Sequence, residues 1–237
     1  MSLRFPRKKK RNYLLSLFYW MDKILPLSKR AKLRLYLDLE WAADRLAHEK
    51  SFQVFDEHPV RKRSFEFLRR HLSSHHTIMD LGCGNGDLSR QIARVAQRVI
   101  AVDHNARMIE HANQKPKPDH LSFHTGDALQ FAETLNQTFD VLILSHVLEH
   151  LEDPPSFLRR HLNCARFFYI EVPDQERTPL NVYREQLKSD LSYSDNDHIW
   201  EFDREEMIEL IRSSGLTIQD SEYRLGVQKY WCEKSGK

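Results

Sequence analysis

The pattern of hydrophobic and polar positions changes at residue 77. From there, short apolar runs alternate with segments in which apolar residues recur at helical spacing, and such runs are typical of strands buried on both faces of a sheet. The runs are TIMDLG (77–82), RVIAVD (98–103), LSFHTGD (121–127), FDVLILS (139–145) and RFFYIEVP (166–173). The helical segments lie around residues 86–96, 106–113, 128–135 and 154–162. This alternation predicts an α/β fold with a mostly parallel sheet and helices on both faces.

The first 72 residues are predicted to be helical. Residues 12–25 form a short helix that stops at Pro26, and residues 28–48 form a second helix that begins at Ser28. Pro59 suits the first turn of a third helix. The apolar face of the second helix consists of Leu35, Leu39, Ala42 and Leu46.

The C-terminal third begins with a polar segment, residues 174–197, that lacks periodicity and predicts a loop able to act as a lid. Residues 204–215 predict a helix that closes at Gly215. The sequences LTIQDSEY (216–223) and VQKYWC (227–232) predict two strands joined around Gly226. We therefore expect an antiparallel hairpin at the edge of the sheet.

The net charge of +2 conceals an asymmetry: residues 1–72 contain 18 Lys/Arg and 8 Asp/Glu, and the remainder contains 18 and 26. The basic run 7–11 precedes the apolar stretch YLLSLFYWM (13–21), which resembles a signal peptide but has no small-residue cleavage site after it. That stretch is also much shorter than the ~20 residues that a membrane span requires. Packing within the chain, contact with a membrane surface and attraction of RNA are three interpretations of this basic end, and no nucleic-acid-binding motif accompanies it.

A glycine cluster follows the first predicted strand and contains three of the seven glycines in the chain: Gly82, Gly84 and Gly86. Ligands of open parallel sheets contact this first turn between strand and helix, and glycine has no Cβ to keep a ligand away from the backbone. Asp87 replaces the third glycine of a dinucleotide-binding loop, and Asp80 precedes the loop; both disfavour a pyrophosphate and hence NAD. Asp80 instead suits a ligand with an ammonium group. Asp103, which ends the second strand, is placed to accept hydrogen bonds from a ribose.

Four ordered segments, DLGCGNG, VIAVD, GDA (126–128) and FDVLILSHVLEHLEDP, resemble the motifs of the class I S-adenosylmethionine-dependent methyltransferases. The resemblance covers roughly residues 77–226. It implies that the glycine loop faces the methionine part of the cofactor, Asp103 the ribose, Asp127 and Ala128 the adenine, and Ser145 and His146 the sulfonium. Cys83 is expected to pack as a small apolar residue beside the cofactor. The implied cofactor-side residues are Asp80, Gly82, Cys83, Gly84, Gly86, Asp103, His104, Met108, Gly126, Asp127, Ala128, Ser145 and His146.

The predicted chemistry centres on His146, Glu149 and His150, which share one face if a helix begins after Ser145. His198 follows the predicted loop. A hydroxyl acceptor must lose its proton during methyl transfer, and histidine is the natural base near neutral pH. We therefore predict His146 or His198 as the general base, with Glu149 and His150 in supporting catalytic roles. His104 is expected to contact the cofactor or to be exposed, and all remaining histidines are expected to lie at the surface.

The pattern His-x-x-Glu-His resembles the Glu-x-x-Glu-His motif that holds magnesium in certain ubiquinone-pathway O-methyltransferases and small-RNA ribose methyltransferases. The first ligand differs here, and imidazole suits zinc, manganese or iron better than magnesium. No metal is predicted. A divalent ion held by His146, Glu149, His150 and His198 is the alternative.

Together these features predict a Rossmann-like, doubly wound methyltransferase domain over residues 73–237, preceded by a basic helical extension over residues 1–72. In this family the extension helps to shape the acceptor site, and its candidate lining residues are Trp41, Phe52 and Phe55. The predicted function is S-adenosylmethionine-dependent O-methylation of a small molecule, saccharide or lipid-linked intermediate; the alternatives are an RNA ribose methyltransferase and a non-catalytic cofactor-binding protein. Three widely spaced cysteines favour a reducing cytoplasm, with peripheral membrane contact through the basic end as an added expectation.

Overall fold

A seven-stranded sheet forms the centre of the computed structural model, which describes residues 13–54, 58–128, 130–131, 137–191, 195 and 197–236. The strands are β1 (Thr77–Leu81), β2 (Arg98–Asp103), β3 (Leu121–Thr125), β4 (Phe139–Ser145), β5 (Ala165–Pro173), β6 (Leu216–Arg224) and β7 (Val227–Lys234). The helices are α1 (Tyr13–Ile24), α2 (Lys29–Val54), α3 (Pro59–Arg69), α4 (Asp87–Ala93), α5 (Ala106–Gln114), α6 (Pro154–His161), α7 (Leu180–Gln186) and α8 (Arg204–Ser213). The predicted helix 128–135 lies mostly outside the described residues.

The strand order is β3-β2-β1-β4-β5-β7-β6, with β1 to β5 parallel and β7 antiparallel to β5. The chain moves outward from β1 in one direction and then crosses to β4, so the order reverses between β1 and β4. A crevice for ligands forms at such a reversal, at the carboxyl ends of the strands. The predicted doubly wound, Rossmann-like sheet is confirmed.

Two apolar cores cover the two faces of this sheet. One contains Met79, Leu142 and Leu144 and packs against α6 and α8. The other contains Ile78, Val141 and Ile143 and packs against α3, α4 and α5. Neighbouring residues of one strand point to opposite faces, so a strand buried on both sides must be apolar at nearly every position.

The edge hairpin of β6 and β7 turns at Leu225 and Gly226, where φ is +59° and +79°. Two successive positive φ angles match the right-handed twist of the flanking strands and produce a tight two-residue turn. The predicted antiparallel edge hairpin is confirmed.

The burial of α2 differs from its sequence prediction. Leu37 is its buried residue, whereas Leu39 and Leu46 of the predicted apolar face are 55% and 59% exposed. The periodicity located an apolar face correctly, but the sheet domain contacts the other side of the helix. Among the described helices, none is both long and apolar enough to cross a bilayer.

The predicted loop 174–197 contains a 3-10 turn (Gln175–Arg177) and the helix α7, so the prediction of an irregular segment is wrong. The segment is held to α2 by ion pairs, Arg177 with Asp44 and Arg45 with Asp195. The buried Arg184 donates to the Leu37 carbonyl oxygen and to Glu40. The sequence of α7 shows little apolar periodicity because α7 binds α2 through the Arg184 guanidinium and not through an apolar face.

Candidate functional site

The glycine loop lies at the carboxyl end of β1, and all three of its glycines have positive φ, between +54° and +75°. A Cβ on Gly82 would lie 2.7 Å from Val147 Cγ2, and a Cβ on Gly86 would overlap the ring of Phe123. By contrast, no atom of the described residues lies within 4 Å of a Cβ on Gly84. Gly82 and Gly86 therefore allow the loop to pack against its own protein, and Gly84 presents open backbone to the crevice.

Asp80 lies beneath this loop, 2% exposed, where its Oδ2 accepts a hydrogen bond of 2.6 Å from the Ser89 hydroxyl. Burial raises the pKa of Asp80 to about 7, opposed by the Ser89 hydrogen bond and reinforced by the charge of Asp103. Cys83 packs against the apolar core on the same side, and burial raises the pKa of its thiol far above the ordinary value. A thiol of this kind is a packing residue and not a nucleophile.

Asp103 ends β2 with its carboxylate directed across the glycine loop. Its Oδ2 accepts from the Gly84 backbone N–H at 2.8 Å, and its Oδ1 accepts from the Asn105 N–H at 2.8 Å. Each oxygen retains acceptor capacity for a ligand hydroxyl. Of the neighbouring candidates, His104 has a side chain 87% exposed and Met108 is 46% exposed in the first turn of α5.

The turn after β3 brings the GDA segment to the same end of the sheet. The Gly126 N–H donates to the Asp103 carbonyl oxygen at 3.0 Å, and Ala128 packs against the core. Asp127 lies between them and is exposed. These positions border the crevice that begins at Gly84.

His146 follows β4 with a φ of +56°, and residues 148–150 form a 3-10 turn. The prediction that His146, Glu149 and His150 share one helical face is therefore wrong. His146 Nδ1 lies 3.0 Å from Glu149 Oε1, and His146 Nε2 lies 3.3 Å from Glu171 Oε1. Loss of solvation opposes charge on this imidazole, but the hydrogen bonds to the two carboxylates raise the pKa of His146 to about 10. With its pKa raised in this way, the ring is protonated near neutral pH, donates from both nitrogens and does not suit the role of the predicted base there.

Glu171, 3% exposed near the end of β5, was not predicted from the sequence. It accepts hydrogen bonds from Tyr169, from His146 and, at 3.5 Å, from Ser145. Burial favours the neutral acid, but the hydrogen bond and charge of His146 lower the pKa of Glu171 below its usual value. A carboxylate within the otherwise apolar run RFFYIEVP was a detectable signal, because a buried charge at a strand end needs a partner.

His150 and His198 form a second cluster on the other side of Glu149, with ring centroids 4.8 Å apart. His150 Nδ1 lies 3.2 Å from the carbonyl oxygen of Asp197, and His198 Nδ1 lies 2.8 Å from Glu201 Oε1. Ligand atoms of Glu149, His150 and His198 all lie within 4.8 Å of one another. Glu149 is completely buried, and its Oε2 makes no hydrogen bond within the described part of the chain.

Backbone contacts explain how the distant His198 reaches this cluster. The N–H groups of Ile199 and Trp200 donate to the Glu149 carbonyl oxygen at 2.8 and 3.1 Å. The Trp200 indole N–H donates to the Leu151 carbonyl oxygen at 2.9 Å. The HIWE segment (198–201) is thereby fixed beside the turn that follows β4. Glu201, which lies after the predicted loop 174–197, was not predicted from the sequence.

The remaining predicted lining residues belong to the N-terminal helices. Phe52 stacks on His58, with centroids 4.2 Å apart, and Arg61 lies over the Phe52 ring while pairing with Asp87 next to the glycine loop. Trp41 is partly buried, and Phe55 lies outside the described residues. The expectation that the other histidines lie at the surface is wrong for His58, which is 9% exposed, and for His161, which is fully buried.

The profile of the methyltransferase domain family matches residues 33–221, about four-fifths of the chain. The chain belongs to this family of S-adenosylmethionine-dependent methyltransferases. The match begins within α2, so the family's domain includes most of the helical extension; the division at residue 72 stays a prediction.

Sequence relatives of this methyltransferase-domain protein include two ubiquinone biosynthesis O-methyltransferases. That of Caulobacter vibrioides is 30% identical over 149 residues, which cover 62% of this chain and 52% of the relative. The mitochondrial protein of Schizosaccharomyces pombe is 36% identical over 96 residues, 39% of this chain and 35% of the relative. The chain thus spans about half the length, or less, of these curated relatives.

Solved structures of methyltransferases share the fold at low sequence identity. Magnesium protoporphyrin IX methyltransferase from Synechocystis PCC 6803, with bound SAH, superposes with a TM-score of 0.58 at 18% identity and covers 74% of this chain and 82% of its own. The N-methyltransferase NodS from Bradyrhizobium japonicum WM9 has a TM-score of 0.56 at 17% identity and covers 77% and 100%. Their different acceptors leave the substrate of this family member to be argued from its own site.

Proposed function

We propose that this protein transfers the methyl group of S-adenosylmethionine to a hydroxyl oxygen of a small molecule. The relatives named for ubiquinone biosynthesis support an oxygen acceptor, and a saccharide or lipid-linked compound fits the same chemistry. The observation that carries the proposal is the pairing of Gly84 with Asp103. Open backbone and a carboxylate with spare acceptor capacity border one crevice, as a nucleoside with an amino-acid tail requires.

The residues present fit this cofactor. Asp103 and the glycine loop would hold its ribose and amino-acid portion, Asp127 and Ala128 the adenine, and Ser145 and His146 the end that carries the methyl group. When bound, S-adenosylmethionine supplies an electrophilic methyl on a sulfonium leaving group. The chain's own contribution is to orient the acceptor in line with that methyl and to exclude water.

Without a bound cation, the carboxylates around His146 give this end of the site a net negative charge, since one imidazolium lies between Glu149 and Glu171. Negative charge favours a sulfonium cation and disfavours an anionic acceptor. Because His146 is protonated near neutral pH, His198 is, in a site without metal, the remaining histidine from the predicted pair for removal of the hydroxyl proton. His198 is held by Glu201, and its side chain is 7% exposed.

The cofactor assignment is tested by calorimetry of S-adenosylmethionine binding to Asp103→Ala. Loss of two hydrogen bonds to a ribose should weaken binding by more than about 100-fold. Asp140→Ala is a matched control. Like Asp103, the Asp140 carboxylate accepts a backbone hydrogen bond, from the Thr77 N–H at 2.7 Å, but Asp140 lies at the amino end of β4, at the edge of the sheet opposite the proposed cofactor site. Equal affinities for wild type and Asp103→Ala would refute the ribose assignment.

The reaction is tested by S-adenosylhomocysteine formation with fractionated extracts. Product formed with a small-molecule fraction supports the proposal. Methyl transfer only to the RNA fraction would identify the RNA methyltransferase alternative. Tight cofactor binding without turnover on any fraction would identify a binding protein.

We infer further that Glu149, His150 and His198 hold a divalent cation. The buried Glu149 Oε2 has no hydrogen-bond donor among the described residues. In both His150 and His198, Nδ1 contacts an oxygen atom. In metal sites such a contact at one ring nitrogen orients the other nitrogen, here Nε2, toward the metal. Two imidazoles and one carboxylate suit zinc, iron or manganese better than magnesium. Such a cation would lower the pKa of an acceptor hydroxyl. His146 contacts the other oxygen of Glu149 and is therefore not in the proposed ligand set.

The cation is tested by elemental analysis and thermal shift with zinc, manganese and magnesium. Stoichiometric metal and a rise in melting temperature are expected for wild type and should be absent for His150→Ala. His104→Ala is the matched control, because this histidine is exposed at the carboxyl end of β2, which β1 separates from β4. Identical metal content in wild type and His150→Ala would remove the cation from the proposal and return His198 to the role of base.

A further inference from the structure

The helix α1 exposes nearly all of its apolar side chains. In the described structure none of its 12 residues is buried, and its large apolar residues are 47% to 75% exposed. Leu14, Leu17, Phe18 and Met21 follow helical spacing and form one side, while Tyr13, Tyr19 and Trp20 lie on other sides. Monomeric soluble proteins rarely expose a contiguous apolar surface of this kind without a partner.

A second exposed apolar surface in the described part of the chain lies on α2. Its outward stripe, defined by Leu39 and Leu46, faces away from the sheet domain. The acidic residues Glu40 and Asp44 lie on the other side, where they pair with Arg184 and Arg177. The side of α2 that carries Leu37 and these two half-exposed carboxylates contacts the rest of the protein, and the stripe of Leu39 and Leu46 is left exposed.

The two helices are tied together where they meet. The Tyr36 hydroxyl donates to Asp22 Oδ1 at 2.7 Å, and Lys32 Nζ lies 3.4 Å from the same oxygen. Asp22 is the only acidic residue before Asp38. Its charge is thus paired within the protein.

The charge of the extension is concentrated beside α1. Residues 1–37 contain eleven Lys/Arg and one Asp/Glu, whereas residues 38–72 contain seven of each. The excess of ten positive charges therefore belongs to residues 1–37, with six of the ten in the part of the chain that precedes or contains α1 and four in the first turns of α2. Basic residues next to exposed Trp, Tyr and Phe complement an anionic lipid surface, where aromatic rings occupy the headgroup boundary.

We propose that α1 and the outward stripe of α2 dock the protein on the surface of an anionic phospholipid bilayer. A helix of 12 residues is about 18 Å long and cannot cross a hydrocarbon core of about 30 Å, so α1 lies in the plane of the interface. The basic residues contact lipid phosphates, and the apolar residues enter the acyl boundary. Docking does not depend on the proposed reaction, but it would bring α2, and α7 which α2 contacts through Arg184, next to acceptors dissolved in the membrane.

The test is co-sedimentation of the full chain with vesicles of phosphatidylcholine alone or mixed with phosphatidylglycerol. Binding to the anionic vesicles, with release at high salt, is expected. Phe18→Glu should lower the partition coefficient by at least about tenfold, because a charge replaces an inserted ring. Leu225→Glu, at the hairpin turn, is the matched control, since Leu225 is 53% exposed and Phe18 is 51% exposed; it should change partitioning by less than about threefold. Circular dichroism confirms that both variants are folded.

Three results would overturn the proposal: no vesicle binding, equal binding to neutral and anionic vesicles, or equal loss in Phe18→Glu and Leu225→Glu. A mass by light scattering that doubles in wild type and not in Phe18→Glu, without vesicle binding, would assign the surface to a second copy of the chain. Retention by RNA in place of vesicles would assign the basic residues to nucleic acid. Because each readout is binding and not turnover, failure here leaves the proposed reaction intact.

Discussion

Replacement of Arg184 by methionine tests how the segment after β5 is held against the N-terminal helices. The side chain of Arg184 is 2% exposed and enters the contact between α7 and α2. It donates to the Leu37 carbonyl oxygen and to Asn181 Oδ1, each at 2.9 Å, and pairs with Glu40. Methionine has a similar length and flexibility but has no donor, so the substitution removes these contacts with little loss of volume.

The expected destabilisation follows from the partners that remain. Asn181 is 5% exposed and would lose its donor, which costs about 1–3 kcal/mol. Glu40 is 45% exposed and can be solvated, so loss of that ion pair contributes little. The Leu37 carbonyl oxygen is a helix acceptor and keeps its place in the backbone ladder. A total of about 2 kcal/mol corresponds to a fall in melting temperature of about 4–8 °C for a chain of this size.

Thermal denaturation followed by circular dichroism measures this change. Arg177→Met is the matched control, because Arg177 joins the same segment to the same helix through Asp44 but is 32% exposed. An exposed pair contributes about 0–1 kcal/mol, so the control should shift by less than half as much. Equal shifts in the two variants, or no shift in Arg184→Met, would refute the conclusion that a buried guanidinium holds the segment.

Two further predictions concern the glycine loop and the carboxyl group beneath it. Gly86→Ala should lower the free energy of unfolding by about 2–4 kcal/mol, because its Cβ overlaps Phe123. Gly84→Ala should lower it by only about 1 kcal/mol, from backbone strain, but should weaken cofactor binding. A larger loss of stability in Gly84→Ala by denaturation, with a larger loss of binding in Gly86→Ala by calorimetry, would contradict both assignments. The raised pKa of Asp80 means that the folded carboxyl holds its proton up to a pH of about 7, so the stability of the cofactor-free protein should fall as pH rises from about 4 to 7. Relative to wild type, Asp80→Asn should therefore gain about 3 kcal/mol in free energy of unfolding between pH 5 and pH 8, measured in urea, and no gain would show that Asp80 is already ionised at pH 5.

The sheet could be predicted from the sequence because burial on both faces constrains almost every strand position. An apolar run such as FDVLILS has few other stable placements, and the alternation with helices fixes parallel order. The glycine loop and Asp103 were likewise predictable, because their positions follow directly from the strand ends. The face of α2 was not predictable in this way. An apolar stripe reveals which side of a helix avoids water, but not whether protein, lipid or a second chain covers it.

The histidine positions show where spacing stops being informative. Residues separated by three and four positions meet on one face only if the backbone between them is α-helical, and the positive φ of His146 together with the 3-10 turn removes that condition. His146 contacts Glu149 across this turn and also Glu171, 25 residues away on the next strand, while His150 lies beside His198, 48 residues away. Glu149 lies between the two pairs, with one oxygen on His146 and the other without a donor among the described residues. In a site at the ends of strands, the order of the strands in the sheet determines which side chains meet. The sequence indicated which residues could act in acid–base chemistry or bind a metal, but the pairing of β4 with β5 is what brings His146 to Glu171.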